Sequence, residues 1–445
     1  MTASNSPPGL KDRVFVLVTG ANSGLGYSIC CRLIDEFLQN KNRPQSQGLT
    51  VIFTTRSTRK GNDTLARLSA HLTQCCSSDP QSLSRVTFVS ENVDLSNLVS
   101  VRALSRRLLR TIPKLDAIIL NAGLGGWTGI DWPRAVWGVT TDLVHQVSWP
   151  SYKLGQVGVL NPLQIPAEKM SEEEPRLGAI FCANVFGHYM LAHNVVPLLK
   201  RSSSSLSRDG VPGRIIWVSS LEATTSLFDV NDIQGLRSET PYESSKALTD
   251  ILALTSNLPS TAPWVNSFYS TTGDQDKKDE EHENPTMYLS HPGICGTGIL
   301  PLSLPLFYLM ICAFWMARFL GSPWHTLSTY LGASAPVWLA LSSQTDLDDA
   351  ESPYARNDGG RVKWGSSCDR FGRGQPASTE IDGWGHGGVV GPAIVEADRA
   401  RRRKRGTKDL TVEEKERFVE LGRLCWMQME ELRILWDGIL DRAGV

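Results

Sequence analysis

The sequence predicts an α/β fold in which helices cover both faces of a doubly wound parallel sheet. Short β-branched and apolar runs alternate with amphipathic helical patterns between residues 14 and 290, as expected for parallel strands with crossover helices. A glycine-rich stretch at residues 19–26 stands between the first such run and the first helical pattern. The chain has 445 residues, of which 41% are hydrophobic, and this is enough to bury a large core.

The individual elements follow from this alternation. The first strand is predicted at residues 14–18, where five consecutive apolar residues precede the glycine stretch. Further strands are predicted at residues 49–54, 85–89, 117–120, 214–218 and 287–290. Helices are predicted at residues 27–38, 98–109 and 179–200, and near Tyr242. The strand at 287–290 is expected to complete a Rossmann-type sheet.

Two segments interrupt the pattern, and the chain changes character after residue 342. Residues 132–176 are rich in Trp and Pro, and residues 259–284 are polar and acidic, so both are predicted to be inserted loops. Residues 1–342 with these insertions are assigned to one domain. Residues 343–445 are assigned to an appendage, which consists of a glycine-rich polar loop and an amphipathic helix at 412–440.

The charge and cysteine content narrow the function classes. A formal net charge of -1 gives no overall field that would attract nucleic acid, so no nucleic-acid partner is predicted. The nine cysteines include two adjacent pairs and show no zinc-ligand spacing, which favours reduced thiols and no metal. Residues 1–12 lack the apolar core of a secretory signal, so the folded part is expected to face the cytosol.

The glycine-rich stretch is predicted to bind a dinucleotide. Its glycines allow a sharp turn and a close approach to a pyrophosphate, whose charge is met by amides at the start of the following helix. A simple glycine turn is the alternative interpretation. The predicted contact residues are Gly20, Asn22, Ser23, Gly24, Leu25 and Gly26.

The end of the second strand favours NADPH over NADH. An acidic residue at this position would bind the adenosine ribose hydroxyls, but the sequence has Thr54, Thr55, Arg56 and Ser57 instead. The Arg56 guanidinium is predicted to bind the 2′-phosphate of NADPH. The alternative is that Arg56 is an ordinary solvated surface residue.

A candidate catalytic group follows the fifth strand. Tyr242 and Lys246 are four residues apart on a predicted helix, so their side chains lie on the same side. A neighbouring ammonium favours the ionised phenol and brings its pKa toward the working pH, which suits Tyr242 as an acid and base. Ser220 is predicted to hold the substrate oxygen, with Ser219 as the alternative.

These motifs together resemble the short-chain dehydrogenase/reductase family over residues 13–300. Within that resemblance, Tyr242 protonates a carbonyl oxygen, Lys246 also holds the nicotinamide ribose, Ser220 orients the carbonyl, and Asn184 holds a water in the proton relay. The gap between Ser220 and Tyr242 is longer than is usual in the family, which implies an inserted loop at residues 221–240. The resemblance also adds cofactor contacts at Asp94, Asn121, Ala122 and Thr297, the last following His291-Pro292-Gly293.

Inside the family, the sequence is similar to the fungal 3-keto-sterol reductases. The similarity covers residues 214–220 and 241–246, the helix at 181–191 and the long insertion after residue 123. It implies reduction of a sterol 3-ketone to the 3β-alcohol with NADPH, during C-4 demethylation in ergosterol biosynthesis. The alternatives are reduction of another lipophilic ketone and a non-catalytic role as a scaffold for sterol-synthesis enzymes.

An apolar segment supports a lipophilic substrate. Residues 299–317 carry no charge and include several aromatic residues, and the apolar stretch extends to about residue 320 around Arg318. We expect this segment to lie in a membrane interface and admit a sterol, with a buried helix as the alternative. The resemblance then implies attachment to the cytosolic face of the endoplasmic reticulum membrane, or to lipid droplets, and contact with other enzymes of the C-4 demethylation complex.

Overall fold

The computed structural model describes residues 12–166, 168, 173–200, 212–270, 283–297, 302–399, 403–404 and 406–445. Small parts of the 132–176 insertion and of the 343–445 appendage fall outside this set, and so do parts of three other predicted segments. These three are the polar start of the chain through residue 11, the acidic centre of the 259–284 insertion, and the beginning of the 299–320 segment.

Eight strands of the described residues form one sheet, and two more form a separate ribbon. The strands are β1 Arg13–Val18, β2 Gly48–Thr55, β3 Val86–Asn92, β4 Ala117–Leu120, β5 Trp127–Ile130, β6 Lys153–Gly155, β7 Arg214–Val218, β8 Thr286–His291, β9 Lys363–Cys368 and β10 Gly374–Thr379. The sheet order is β10-β9-β8-β7-β4-β1-β2-β3, and β5 pairs with β6. All neighbours in the large sheet are parallel except β10, which runs antiparallel to β9.

The helices lie on both faces of this sheet and in the segments between its strands. They are α1 Gly24–Gln39, α2 Thr58–Cys75, α3 Leu98–Thr111, α4 Trp132–Thr141, α5 Leu143–Ser148, α6 Ala179–Phe181, α7 Gly187–Asn194, α8 Val196–Lys200, α9 Pro241–Thr255, α10 Ala262–Tyr269, α11 Leu304–Phe319, α12 Thr329–Gly332, α13 Ser334–Leu341, α14 Gln344–Ala355, α15 Glu396–Arg399 and α16 Val412–Arg442. A π-helical turn at Cys182–Phe186 joins α6 to α7. Short 3₁₀ helices occur at Pro80–Arg85, Thr225–Leu227 and Val230–Asp232.

The central strands are apolar throughout because both faces of the sheet are covered. In β1, Val14 and Val16 pack into the core on the α1 and α13 side, whereas Phe15 and Leu17 pack into the core on the α3 and α9 side. Every residue of β1, β2, β4 and β7 is buried. This two-sided burial explains why continuous apolar runs, rather than alternating ones, predicted these strands correctly.

The doubly wound fold and its six predicted strands are confirmed, but the expectation that the strand near residue 290 completes the sheet is wrong. The strand β9 pairs with β8 in parallel, placing Leu289 opposite Lys363, and β10 adds an antiparallel edge strand. These two strands escaped prediction because they are built mainly of Gly, Ser and other small residues. They carry too few β-branched residues for a propensity argument.

The C-terminal helix is confirmed in position, and it packs against the core of the sheet domain. The side chains of Trp426 and Trp436 are fully buried. The Trp426 indole donates to the Leu252 carbonyl of α9 at 3.2 Å, and the Tyr189 hydroxyl of α7 donates to Glu430 at 2.7 Å. Residues 343–445 therefore contribute two strands and a buried helix to the same core, whereas the sequence predicted a polar loop and an appended helix.

Candidate active site

A cleft of about 1180 Å³ opens at the carboxyl ends of the central strands. Ligands bind at this edge in open parallel sheets, where the strand order reverses. The cleft is lined by all of the cofactor-contact residues that the sequence predicted, namely Gly20, Asn22, Ser23, Gly24, Leu25, Gly26, Arg56, Asp94, Asn121, Ala122, Tyr242, Lys246 and Thr297. Ser219 and Ser220 line it as well.

The glycine loop forms a cradle that side chains would fill. Gly20 has a φ of +70°, and a Cβ there would lie 2.8 Å from the Cβ of Ala122. A Cβ on Gly26 would lie 2.2 Å from the Gly20 carbonyl oxygen. The side chain of the N-cap residue Ser23 makes no capping hydrogen bond to α1, and the first turn of α1 holds no acidic residue. The loop therefore offers a helix N-terminus to an anionic group, which is the environment that a pyrophosphate requires.

The rim of this cradle is held by the chain after β4 and by residues after β2 and β3. The Asn121 side-chain amide donates to the Thr19 carbonyl at 2.9 Å, which ties the β4 end to the glycine loop. Arg56 is exposed directly after β2. An Asp94 carboxylate oxygen accepts from the Ser96 amide at 3.0 Å. Arg56 and Asp94 thus place a cation and a carboxylate on the lining of the same cleft.

Tyr242 and Lys246 lie on the first turns of α9 with both side chains buried. The Lys246 ammonium lies 5.8 Å from the centroid of the Tyr242 ring and donates to the Val218 carbonyl at 2.9 Å. The Trp127 ring of the β5 ribbon packs against the tyrosine, with 4.6 Å between ring centroids. The pair thus lies at the end of β7, with the phenol enclosed between α9 and the ribbon.

The two side chains titrate differently from what the sequence suggested. Burial raises the pKa of Tyr242 well above its usual value, the Glu222 charge adds to this, and a hydrogen bond with Ser220 opposes it. Burial lowers the pKa of Lys246 to about 8, with Lys363 adding to this effect and Asp250 opposing it. The pKa of Tyr242 is therefore raised, and not lowered as the sequence analysis expected, because burial is the largest influence on it.

The two serines at the end of β7 have different surroundings. The Ser219 hydroxyl points into the protein and donates to an Asp250 carboxylate oxygen at 2.5 Å. Ser220 is only half-buried, interacts with the Tyr242 phenol, and accepts from the Glu222 amide at 3.1 Å. The geometry therefore favours Ser220, rather than Ser219, as the serine that meets a substrate.

Asn184 lies behind the cleft and is not among the residues that line it. Its side chain accepts from the Leu124 amide at 2.7 Å and donates to the Leu124 carbonyl at 3.0 Å and to Ser245 at 3.1 Å. It belongs to the π-helical turn between α6 and α7, a distortion that is frequent at functional sites. In this structure Asn184 fixes the loop after β4 against α9, and its predicted relay role stays a prediction.

Charged residues that the sequence analysis did not select also surround Tyr242. The Lys153 ammonium of β6 binds both Glu222 carboxylate oxygens at 2.6 Å and lies 3.9 Å above the Trp127 ring. Burial and the Glu222 charge raise the pKa of the neighbouring Glu243 to about 7. Glu222 follows Ser220 by two residues and was a detectable candidate, but nothing in the sequence marks Lys153 as its partner.

The far half of the cleft is apolar and lies next to exposed apolar helices. Its lining comes from α4, α5 and α11 and includes Val136, Val147, Leu306, Met310 and Phe314. The outer surfaces of α4 and α11 expose further large apolar side chains, among them Trp137, Leu304, Trp315 and Phe319. Among the described residues, no helix has both the length and the apolar character needed to cross a bilayer.

A separate polar cluster lies between α1 and α2, away from the cleft. Asp35 accepts from His71 at 2.9 Å and from the Cys75 thiol at 3.0 Å, and the Tyr330 hydroxyl donates to it at 2.7 Å. These residue types are able to ligate a metal. Their mutual hydrogen bonds account for the arrangement without one, and the absence of a metal stays a prediction.

The parallel sheet, the glycine cradle and the Ser220, Tyr242 and Lys246 group define a short-chain dehydrogenase/reductase. No family model matches the chain. Similar curated proteins include the 3-keto-steroid reductase of Aspergillus fumigatus, 66% identical over 100% of this chain and 98% of that protein. The 3-keto-steroid reductase of Gibberella zeae is 38% identical over 97% of this chain and 95% of that protein. The chain belongs to this family of fungal 3-keto-steroid reductases.

Solved structures that are similar to the chain are more distant. The RhlG/NADP active-site complex of Pseudomonas aeruginosa has a TM-score of 0.40 and 18% identity, covering 77% of this chain and 93% of that chain. A short-chain dehydrogenase of Salmonella enterica has a TM-score of 0.38 and 17% identity, covering 76% of this chain and 93% of that chain.

Proposed function

We propose that the protein reduces a sterol 3-ketone to the 3β-alcohol with NADPH, in the C-4 demethylation steps of ergosterol biosynthesis. One observation carries this proposal: a single cleft joins the cofactor cradle, Tyr242 and a long apolar wall. A sterol ketone is an apolar body with one polar oxygen at its end, so it complements such a cleft. The names of the 66% and 38% identical relatives support the same substrate.

The residues of the cradle fit NADPH, which supplies the hydride when it is bound. Gly20 and Gly26 leave the space that a pyrophosphate needs, since a Cβ at either position would collide with the chain. The uncapped start of α1 is available to the phosphate charge. Arg56 lies at the rim, where its guanidinium would bind the 2′-phosphate that distinguishes NADPH from NADH.

The proton is assigned to Tyr242. Its raised pKa keeps the phenol protonated at neutral pH, which is the form that a reduction consumes. Ser220 donates a hydrogen bond to the same carbonyl oxygen and stabilises the charge that develops there. Lys246 is positively charged below about pH 8, and its charge stabilises the phenolate left after proton transfer. Asn184 holds the loop after β4 in place beside them.

We further propose that the protein works at a membrane surface. The exposed apolar side chains of α4 and α11 flank the apolar end of the cleft, so a sterol would enter from the lipid without crossing water. The cytosolic face of the endoplasmic reticulum or a lipid droplet meets this requirement. Other enzymes of C-4 demethylation, which handle the same lipid-dissolved sterols, are the proposed neighbours.

The test is NADPH oxidation by the purified protein with a 3-keto sterol, followed by identification of the sterol product. We expect a 3β-hydroxy sterol, and loss of nearly all turnover in Tyr242→Phe, which removes the phenol and keeps the ring. Turnover of a different lipophilic ketone and none of the sterol would refute the substrate. Unchanged turnover in Tyr242→Phe would refute the assignment of the proton donor, and no turnover of any ketone would favour the scaffold interpretation.

A further inference from the structure

A buried ion pair lies directly behind the two serines at the end of β7. The Lys363 ammonium of β9 and the Asp250 carboxylate of α9 are 2.5 Å apart, and each side chain is 1% exposed. Asp250 lies one turn beyond Lys246 on α9, whereas Lys363 belongs to a strand that carries no family motif. Burying a charged pair is costly unless further hydrogen bonds satisfy its remaining polar atoms, so the other partners of this pair show what it holds.

The remaining partners of the ion pair belong to the segment that carries Ser219 and Ser220. The second carboxylate oxygen of Asp250 accepts from the Ser219 hydroxyl at 2.5 Å. The Lys363 ammonium also donates to the Ser220 carbonyl at 2.7 Å. The backbone of the same segment is bound by Lys246 at the Val218 carbonyl and by the Ser290 carbonyl at the Ser219 amide. The pair therefore anchors one side chain and one carbonyl of the turn that presents Ser220 to the cleft.

The antiparallel pair of strands β9 and β10, to which Lys363 belongs, also contacts another part of the cleft wall. The Thr379 hydroxyl of β10 hydrogen-bonds the His291 ring at 2.8 Å, and the other ring nitrogen of His291 accepts from the Gly293 amide at 3.0 Å. Gly293 has a φ of +70° and lines the cleft four residues before Thr297. Strands β9 and β10 thus contact both the serine turn and the segment that leads from His291 to the predicted cofactor contact Thr297.

We propose that Lys363 and Asp250 are positioning residues for the reduction, which hold the Ser219-Ser220 turn in its productive geometry and set the charge environment of Lys246. The inference rests on the proposed function only in requiring that a ketone is reduced at Tyr242. It makes residues 363–379 part of the active-site architecture, although they lie more than a hundred residues beyond the catalytic motif.

Opposite charges on the two residues make the proposal testable through pH dependence. Lys246 is faced by Asp250 and Tyr242 of its own helix, by Lys363 of β9 and by His188 of α7. Burial lowers the pKa of His188 to about 3, so it is neutral in the working range. The Asp250 charge raises the pKa of Lys246 and the Lys363 charge lowers it. Removal of the Asp250 charge and removal of the Lys363 charge should therefore shift the alkaline limb of the pH profile of kcat in opposite directions.

The variants are Asp250→Asn and Lys363→Met, assayed as full-length proteins with NADPH and whichever ketone the wild type reduces. We expect kcat to fall by up to about a hundredfold in Lys363→Met because the serine turn shifts, with a smaller change in KM. The alkaline limb should move to lower pH in Asp250→Asn and to higher pH in Lys363→Met. Lys363→Arg, which keeps the charge, should restore part of kcat.

A matched control separates positioning from general destabilisation. Lys114 and Asp116 form another buried ion pair, 3.0 Å apart, at the amino end of the central strand β4, whereas the cleft lies at the carboxyl ends of the strands. Lys114→Met should lose stability and keep both kcat and the alkaline limb. If Lys363→Met does not fold, the double variant Asp250→Asn/Lys363→Met removes both charges and should still show the loss of kcat. Wild-type kcat in that double variant, or equal shifts of the limb in both single variants, would overturn the proposal.

Discussion

The exposed apolar surface beside the cleft leads to a quantitative prediction about membrane binding. Trp137 on α4 is 74% exposed and Phe319 at the end of α11 is 76% exposed. Neither side chain lines the cleft, so both can be replaced without touching the substrate site. Full burial of a large apolar side chain contributes about 1.5–3 kcal/mol. Since three quarters of each side chain is available, the two together should contribute about 3 kcal/mol to insertion.

The perturbation is the double variant Trp137→Ser/Phe319→Ser, and the assay is co-sedimentation with phosphatidylcholine vesicles. A loss of about 3 kcal/mol corresponds to roughly a hundredfold weaker partitioning. Turnover of a detergent-solubilised ketone should stay at the wild-type level because the catalytic end of the cleft is unchanged. Retained turnover would show that the variant is folded.

The control is Ile434→Ser/Leu435→Ser, which removes two exposed apolar side chains from α16, far along the chain from the cleft helices. This variant should partition like the wild type. If the double variant Trp137→Ser/Phe319→Ser binds vesicles as well as the wild type does, a membrane-facing role for α4 and α11 is refuted. An equal loss in both double variants would show that adsorption depends only on total apolar surface.

Two further predictions concern the cofactor and the C-terminal helix. Arg56→Ala should raise KM for NADPH by about tenfold or more, as expected for loss of charge-assisted hydrogen bonds to a phosphate, and should leave KM for NADH nearly unchanged. An equal rise for both cofactors in steady-state assays would remove Arg56 from the phosphate site. Trp426→Ala should lower the free energy of unfolding by about 3–5 kcal/mol, because the side chain is fully buried between α16 and α9. An unchanged midpoint in urea unfolding would contradict this packing.

The first part of the fold was predictable because its signals are local. Strands such as Arg13–Val18 and Ala117–Leu120 are buried on both faces, so each is a short apolar run that stands out from its surroundings. The glycine loop and the Tyr242 helix are marked by residue types at fixed spacings. These positions needed no knowledge of distant contacts, and the structure places all of the predicted cofactor residues on one cleft.

The strands β9 and β10 were not predictable from the same signals. In β9, small residues are needed because neighbouring elements pack closely against the strand. The Ser366 hydroxyl of β9 donates to the Gly332 carbonyl at 2.6 Å and accepts from the Ala335 amide at 3.0 Å, so α12 and α13 approach the strand closely. A Cβ on Gly365 would lie 2.3 Å from the His291 ring. Small residues are required here by neighbours far away in the sequence, and small residues give no strand signal.

The active site likewise combines a local sequence motif with residues from other parts of the fold, and both affect its pH dependence. Tyr242 and Lys246 are a local motif, but the charges that shift their pKa values come from Glu222 in a loop, Asp250 on α9 and Lys363 on β9. A motif therefore identifies the proton donor without fixing the pH at which it works. Two reductases with the same tyrosine and lysine should differ in pH dependence wherever these surrounding charges differ. In this chain burial, Asp250 and Lys363 act on the pKa of Lys246, so we expect the pH dependence of the reduction to respond to changes in β9 as well as in the motif.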